Sequence, residues 1–195
     1  PLSNDTSSEF GTITSCNNQD ICWVEGLLST IYDVFLDQIV DGQIYTKGTG
    51  ERDPSREHWT RLHELNLAQN ALLVFDRGYY SKELYEDLVS DGCHVLMRLN
   101  KGNHLTRLGS DDFSWTAASA DGKPVLYRIV RVPLPEQSNE EAEYLVTNIT
   151  DPSISPALLY NLYFERWNIE TKYRELKEWW ELEEFTGTSC NSIEQ

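Results

Sequence analysis

Residues 71–99 have the sequence ALLVFDRGYYSKELYEDLVSDGCHVLMRL, which decides the fold class. The first run, ALLVF, is continuously apolar, as is typical of a strand that is buried on both faces. A helix is predicted next, because Ser81 is a good N-cap residue and Gly92 stands just past the end of the helical pattern. The run CHVLMRL predicts a second strand. A strand, a crossover helix and a strand together predict two parallel neighbours in an α/β sheet.

The segment before this unit is rich in β-branched and aromatic residues. Residues 21–45 alternate in part between apolar and polar side chains, and the pattern is interrupted at Gly26, Asp33 and Gly42. This arrangement predicts two or three neighbouring strands. A helix is predicted after them, because Pro54 suits a first helical turn and apolar residues then recur at helical spacing.

The sequence changes character after the second strand. Residues 100–155 contain short alternating runs, VLYRIVRV and AEYLVTNI, between turn clusters, which predicts an antiparallel β-rich insertion. One long helix is predicted from Pro156 through Trp180. We therefore predict three parts: an α/β part in residues 1–99, the insertion in residues 100–155, and a helical part that completes the α/β part in residues 156–195.

Composition and charge exclude several classes of protein. The chain has 195 residues, of which 39% are hydrophobic and 25% charged, which is typical of a globular domain. No apolar run approaches the roughly 18 residues of a membrane span, so no membrane partner is expected. The four cysteines have no C-x-x-C spacing, which argues against a zinc site. A net charge of -16 would repel a polyanion, so that any contact with nucleic acid must be local.

Asp76 is the first candidate for a functional residue. It directly follows the ALLVF strand, and ligands collect at the carboxyl ends of strands in open α/β sheets. A single Asp at this place is also a common turn or cap residue. From the pattern alone, both interpretations stay open.

Four polar residues of the last predicted helix share one stripe. At 100° per residue, with Tyr163 at zero, Arg166 lies at about 300°, Glu170 at about 340° and Lys177 at about 320°. An apolar stripe lies beside them, formed by Leu162, Ile169, Tyr173, Leu176 and Trp180. A carboxylate among Arg, Lys and Tyr suits a metal ligand set among phosphate-binding groups. An ordinary solvated helix face with i,i+4 ion pairs is the alternative.

The spacing of these four residues, Y-(2)-R-(3)-E-(6)-K, resembles the signature of a large group of bacterial insertion-sequence transposases. Four fixed residue types at fixed spacing recur by chance about once in 10⁵ windows. The run Asp76-Arg77-Gly78-Tyr79 resembles the second acidic motif of the same enzymes. The resemblance covers the chain from about Phe10 onward.

This resemblance implies an RNase H-like mixed sheet flanked by helices, with the β-rich insertion between the second acidic strand and the Glu-bearing helix. Such a core carries three acidic residues that hold two divalent metal ions, Mg²⁺ or Mn²⁺. By position, Asp76 would be the second acid and metal ligand, and Glu170 the third. Tyr163, Arg166 and Lys177 would contact phosphates or organise the transposon end.

The implied function is the catalytic core of a cut-and-paste DNA transposase, which hydrolyses phosphodiesters and transfers strands at transposon ends. Its partners would be transposon-end DNA, target DNA and further copies of the chain, in the bacterial cytoplasm and at the nucleoid. The first Asp of the family is expected upstream of Pro1, since Asp41-Gly42 has only part of the expected motif. We therefore expect a fragment that is inactive alone.

Two alternatives to a transposase core stay open. The chain can be an inactive remnant or interaction domain that retains the fold, or another RNase H-like nuclease. Trp115, in the predicted insertion, can stack on a DNA base or pack in the core. His58, His63, His94 and His104 show no metal-binding spacing.

Overall fold

In a computed structural model, the described residues are 13–14, 22–23, 26–46, 48–50, 52–108, 110–138 and 140–179. They form two compact units: a hairpin unit (residues 1–58 and 167–195) and a sheet unit (residues 59–166). The described strands, β1 to β9, span Ile13–Thr14, Cys22–Trp23, Gly26–Asp33, Gln38–Thr46, Leu72–Phe75, His94–Arg98, Asp112–Ala118, Pro124–Pro133 and Ala142–Thr147. The described α-helices, α1 to α4, span Asp53–Glu64, Lys82–Ser90, Pro156–Phe164 and Asn168–Trp179.

The hairpin unit is built on the antiparallel pair β3 and β4, in which Gly26 faces Thr46. Two or three neighbouring strands were predicted in this region, and β3 and β4 confirm two of them, whereas β2 pairs with β1. The imidazole of buried His58, on α1, lies 2.9 Å from the Ser29 hydroxyl and 2.5 Å from the Asp41 carboxylate. These contacts fix the start of α1 on the hairpin, since a buried polar side chain is costly unless it is hydrogen-bonded.

The sheet unit contains one mixed sheet with the strand order β5-β6-β9-β8-β7. The pair β5 and β6 is parallel, as the strand–helix–strand pattern predicts, and α2 makes the crossover. Ser81 caps α2 by accepting a hydrogen bond from the Leu84 N–H, and Gly92 has a φ of 85° just past the helix. Ser81 and Gly92 therefore mark the two ends of α2 as the sequence predicts. The mixed α/β class is confirmed.

The predicted antiparallel strands of residues 100–155 are β7, β8 and β9. They continue the sheet of β5 and β6, because β9 pairs antiparallel with β6. The boundaries proposed at residues 99/100 and 155/156 stay predictions.

One core cluster of the sheet unit lies between this sheet and α3. It is formed by the fully buried side chains of Leu96, Val130, Leu145, Leu159 and Tyr163. The prediction that ALLVF is buried on both faces was only partly correct: Leu73 is buried, whereas its neighbours in β5 are half-buried. The reason is that β5, among the described strands, pairs with β6 alone and ends the sheet.

The prediction of one continuous helix from Pro156 through Trp180 was wrong. A 3-10 turn, Glu165–Trp167, separates α3 from α4, and Trp180 lies outside the described residues. A 3-10 turn advances 120° per residue instead of 100°, so three residues add a rotation of about 60°. The angles calculated for an uninterrupted helix therefore do not hold beyond the turn.

Within the described ranges, no helix is both long enough and apolar enough to cross a membrane.

Candidate active site

The sheet unit places Asp76 directly after β5, at the carboxyl end of the strand. The Tyr163 hydroxyl donates a hydrogen bond of 2.8 Å to Oδ1 of Asp76. The Arg166 guanidinium lies 3.9 Å from Oδ2. Three of the five residues proposed from the sequence, Asp76, Tyr163 and Arg166, thus lie together in one unit.

Tyr163 owes its position to the core. Its side chain is 1% exposed and packs with Leu96 and Leu145, so the ring cannot move away from the sheet. Arg166 then lies over this ring, with its guanidinium carbon 5.6 Å from the ring centroid, in a cation–π contact. A buried aromatic ring therefore orients both groups that face the Asp76 carboxylate.

The surroundings of Asp76 keep its carboxylate ionised. Burial alone would raise its pKa, but hydrogen bonds from the Arg77 backbone N–H and the Tyr163 hydroxyl, with the charges of Arg166 and Arg98, outweigh burial and lower it. Burial and the neighbouring carboxylate raise the pKa of Tyr163 to about 12, so this hydroxyl stays a hydrogen-bond donor at neutral pH.

Tyr163→Phe should raise the pKa of Asp76, because the variant keeps the ring but loses the hydrogen bond to the ionised carboxylate. The pKa of Asp76 is lower in the folded protein than in the unfolded chain. The ionised carboxylate therefore stabilises the fold at a pH above the unfolded-state pKa, and this stabilisation is lost as the pH falls through the folded-state pKa. In the variant that loss should begin at a higher pH. A ¹³C NMR titration of the Asp76 carboxyl measures the change, with Tyr160→Phe on the same helix as the control. An unchanged titration curve in Tyr163→Phe would contradict the hydrogen bond.

A charged network beside Asp76 was missed in the sequence. Arg98, the last residue of β6, lies 2.6 Å from Glu143 and 3.4 Å from Glu140, and Glu140 also lies 3.4 Å from Arg77. Burial raises the pKa of Glu143, the carboxylates of Glu140 and Asp76 add to this, and Arg98 and Arg77 oppose it. Parallel β5 and β6 end at the same sheet edge, so the position of Arg98 after an apolar run was the available signal. Glu140 and Glu143 gave no comparable signal.

Glu170 and Lys177 are both exposed and lie on α4, in the hairpin unit. The helix contacts β3 through a 2.7 Å hydrogen bond between the hydroxyls of Tyr173 and Thr30. Lys172 adds an ion pair of 3.0 Å with Asp37 in the hairpin turn. The two remaining site residues are therefore presented by a helix that is held on the hairpin.

The chemistry of Asp76 suits a hard divalent cation, because its ionised carboxylate is 41% exposed and offers oxygen ligands. In the part of the chain that the structure describes, no three His, Cys, Asp or Glu side chains are grouped closely enough to hold a metal ion. Asp41, the weaker alternative for the first acid, is hydrogen-bonded to His58.

Trp115 stacks with two other aromatic rings. The centroid of Phe113 lies 5.4 Å from that of Trp115 at an interplanar angle of 15°, and Tyr127 lies at 4.9 Å and 8°. Tyr127 in turn stacks on Tyr85 of α2 at 4.7 Å. These two ring contacts favour the packing role of Trp115 over stacking on a DNA base.

The sequence matches the family described as transposase DDE domain over residues 12–195. The chain belongs to this family. A comparison with curated proteins gives no match. Membership is consistent with an RNase H-like fold for the mixed sheet and helices described above. Transposases of this family act on DNA and generally use divalent metal ions, which agrees with an ionised carboxylate at the end of β5.

Proposed function

We propose that this transposase domain hydrolyses phosphodiesters and transfers strands at transposon ends, by the cut-and-paste route of the Y-R-E-K group. The observation that carries the proposal is the Asp76 carboxylate, which follows β5 and is kept ionised by Tyr163 and the neighbouring cations. An ionised, half-exposed carboxylate at the carboxyl end of a strand is suited to bind a cation.

Asp76 and Glu170 would be the second and third acids and would hold the metal. Two divalent ions, Mg²⁺ or Mn²⁺, would stabilise the negative charge on the attacking and leaving oxygens of the phosphodiester. Tyr163 holds the Asp76 carboxylate in one orientation, because its hydroxyl donates to Oδ1 from a buried ring. That fixed orientation leaves Oδ2 toward the Arg166 side of the site.

Arg166 and Lys177 would bind phosphates of the transposon end. The guanidinium offers a planar fork of donors to phosphate oxygens, whereas the ammonium acts as a point charge. Cationic groups beside the acids are needed because the chain as a whole, at a net charge of -16, repels DNA. Target DNA and further copies of the chain complete the proposed assembly, in the bacterial cytoplasm.

Glu170→Gln in the natural protein that contains these residues should lower strand transfer at least about 100-fold, because metal stabilisation of the transition state contributes several kcal/mol. A strand-transfer assay on a supercoiled target plasmid measures the effect. Glu178→Gln is the matched control, because Glu178 is also exposed and on α4. Equal activity of Glu170→Gln and the wild type would contradict the proposed role of Glu170, and inactivity of the wild type would favour a non-catalytic domain.

A further inference from the structure

Glu140 is surrounded by three cationic side chains of the sheet unit. Its Oε1 lies 3.4 Å from the Arg77 guanidinium and 3.9 Å from the Lys101 ammonium, and its Oε2 lies 3.4 Å from the Arg98 guanidinium. Charge-assisted hydrogen bonds in proteins are usually about 2.7 to 2.9 Å long. One carboxylate therefore attracts three cations without making a short contact to any of them.

Glu143 contacts the same Arg98 in a different way. Its Oε1 lies 2.6 Å from Arg98, and its side chain is 11% exposed, against 23% for Glu140. Glu143 is part of β9, whereas Glu140 precedes the strand. Glu143 thus anchors Arg98 in place, and Glu140 is the weakly held partner that another anion can replace.

We propose that Arg77, Arg98 and Lys101 form a phosphate-binding subsite beside Asp76, and that Glu140 fills this subsite in the DNA-free protein. The anion that replaces Glu140 is a phosphate of the DNA backbone, so the inference rests on the proposed function. A phosphate group suits the three cations better than a carboxylate, because its oxygens point in several directions and can contact all of them at short range.

The position of the subsite fits a substrate contact. Arg77 directly follows Asp76 in the chain, and Arg98 ends β6, which pairs in parallel with the strand that precedes Asp76. A backbone phosphate bound here would lie next to the candidate catalytic carboxylate. Glu140 then weakens DNA binding by competition, because DNA must displace it before the phosphate reaches Arg77 and Arg98.

Glu140→Gln should strengthen DNA binding about threefold to tenfold, because it removes the competing charge while keeping the size of the side chain. Fluorescence anisotropy of a labelled duplex of about 20 base pairs, at about 50 mM salt and with EDTA, measures the affinity without any metal. The slope of log Kd against log salt should become steeper by about one. Glu141→Gln is the matched control, because it removes the same charge from an exposed neighbour, and its effect should stay below about twofold.

Lys101→Gln tests the identity of the subsite. Lys101 is 59% exposed, so its replacement should not disturb the fold, which a circular dichroism melt checks. The gain from Glu140→Gln should shrink in the Lys101→Gln background, because one of the three cations that Glu140 blocks is then missing.

If Glu140→Gln and Glu141→Gln strengthened DNA binding equally, the replacement of Glu140 by a DNA phosphate would be overturned. DNA binding by the wild type would still support the proposed function. The subsite would also be overturned if Glu140→Gln strengthened DNA binding as much in the Lys101→Gln background as in the wild type. If none of the proteins binds the duplex, both the subsite and the proposed DNA contact are wrong. Failure of the strand-transfer test alone would leave the anisotropy result, and hence the subsite, intact.

Discussion

Asp76→Asn is expected to lower the affinity of the chain for Mn²⁺ by at least about 100-fold. Asparagine keeps the size of the side chain but removes the charge and one of the two anionic oxygens. Loss of a group that only orients a ligand already costs about 10- to 100-fold in metal affinity, so loss of the ligand itself should cost at least as much. The measurement is a titration that follows free Mn²⁺ by electron paramagnetic resonance.

The control for this variant is Asp121→Asn, because Asp121 is an exposed carboxylate in a turn of the same unit. Its affinity for Mn²⁺ should equal that of the wild type. The ion pair with Arg166 and the hydrogen bond from Tyr163 make Asp76→Asn informative about folding as well, so both variants should be compared by thermal melting. Unchanged Mn²⁺ binding in a folded Asp76→Asn protein would show that Asp76 is not a metal ligand.

Arg128→Met is expected to lower the free energy of unfolding by about 2 to 4 kcal/mol, because one guanidinium joins two parts of the sheet unit. Arg128, on β8, is 5% exposed and binds both oxygens of Asp112 on β7 at 2.8 Å. It also donates to the backbone carbonyls of Ile149 and Asp151, at 3.3 and 3.2 Å, in the loop that leads to α3. Methionine fills the space of the stem but leaves these acceptors without their donor.

Arg131→Met is the matched control on the same strand. Arg131 lies 3.5 Å from Asp111, which is 77% exposed, and exposed ion pairs contribute less than about 1 kcal/mol. Urea unfolding followed by circular dichroism gives both free energies, and equal m-values would show that the variants expose the same surface on unfolding. Equal destabilisation by the two substitutions would contradict the role assigned to the buried guanidinium.

Local signals in the sequence predicted the crossover unit well. The N-cap at Ser81, the glycine at residue 92 and the two apolar runs each act over a few residues, so the chain pattern alone determines them. Asp76 was found for the same reason, because its place after an apolar strand is a local feature.

Features that depend on distant residues could not be predicted in the same way. The 3-10 turn at Glu165–Trp167 has no Gly or Pro to signal it, and helical periodicity continues through it. The contacts of Arg98 with Glu140 and Glu143 join residues more than 40 positions apart, and they arise because β9 pairs with β6. Strand pairing of this kind follows from the whole sheet and not from any one segment.

The same distinction applies to the site residues. Tyr163 and Arg166 lie before and within the 3-10 turn, and both reach Asp76. Glu170 and Lys177 follow the turn and lie on a separate helix, whose place in the hairpin unit depends on contacts such as that of Tyr173 with Thr30. A common role for all four residues therefore stays a prediction drawn from their spacing and from the family.

Anomalous diffraction from crystals of the chain soaked in Mn²⁺ would test the proposed metal site most directly. We predict a manganese peak within about 2.0 to 2.6 Å of carboxylate oxygens of both Asp76 and Glu170, the range for oxygen ligands of hard cations. A manganese peak held by other residues, or none at either carboxylate, would contradict the assignment of these two acids to one catalytic metal site.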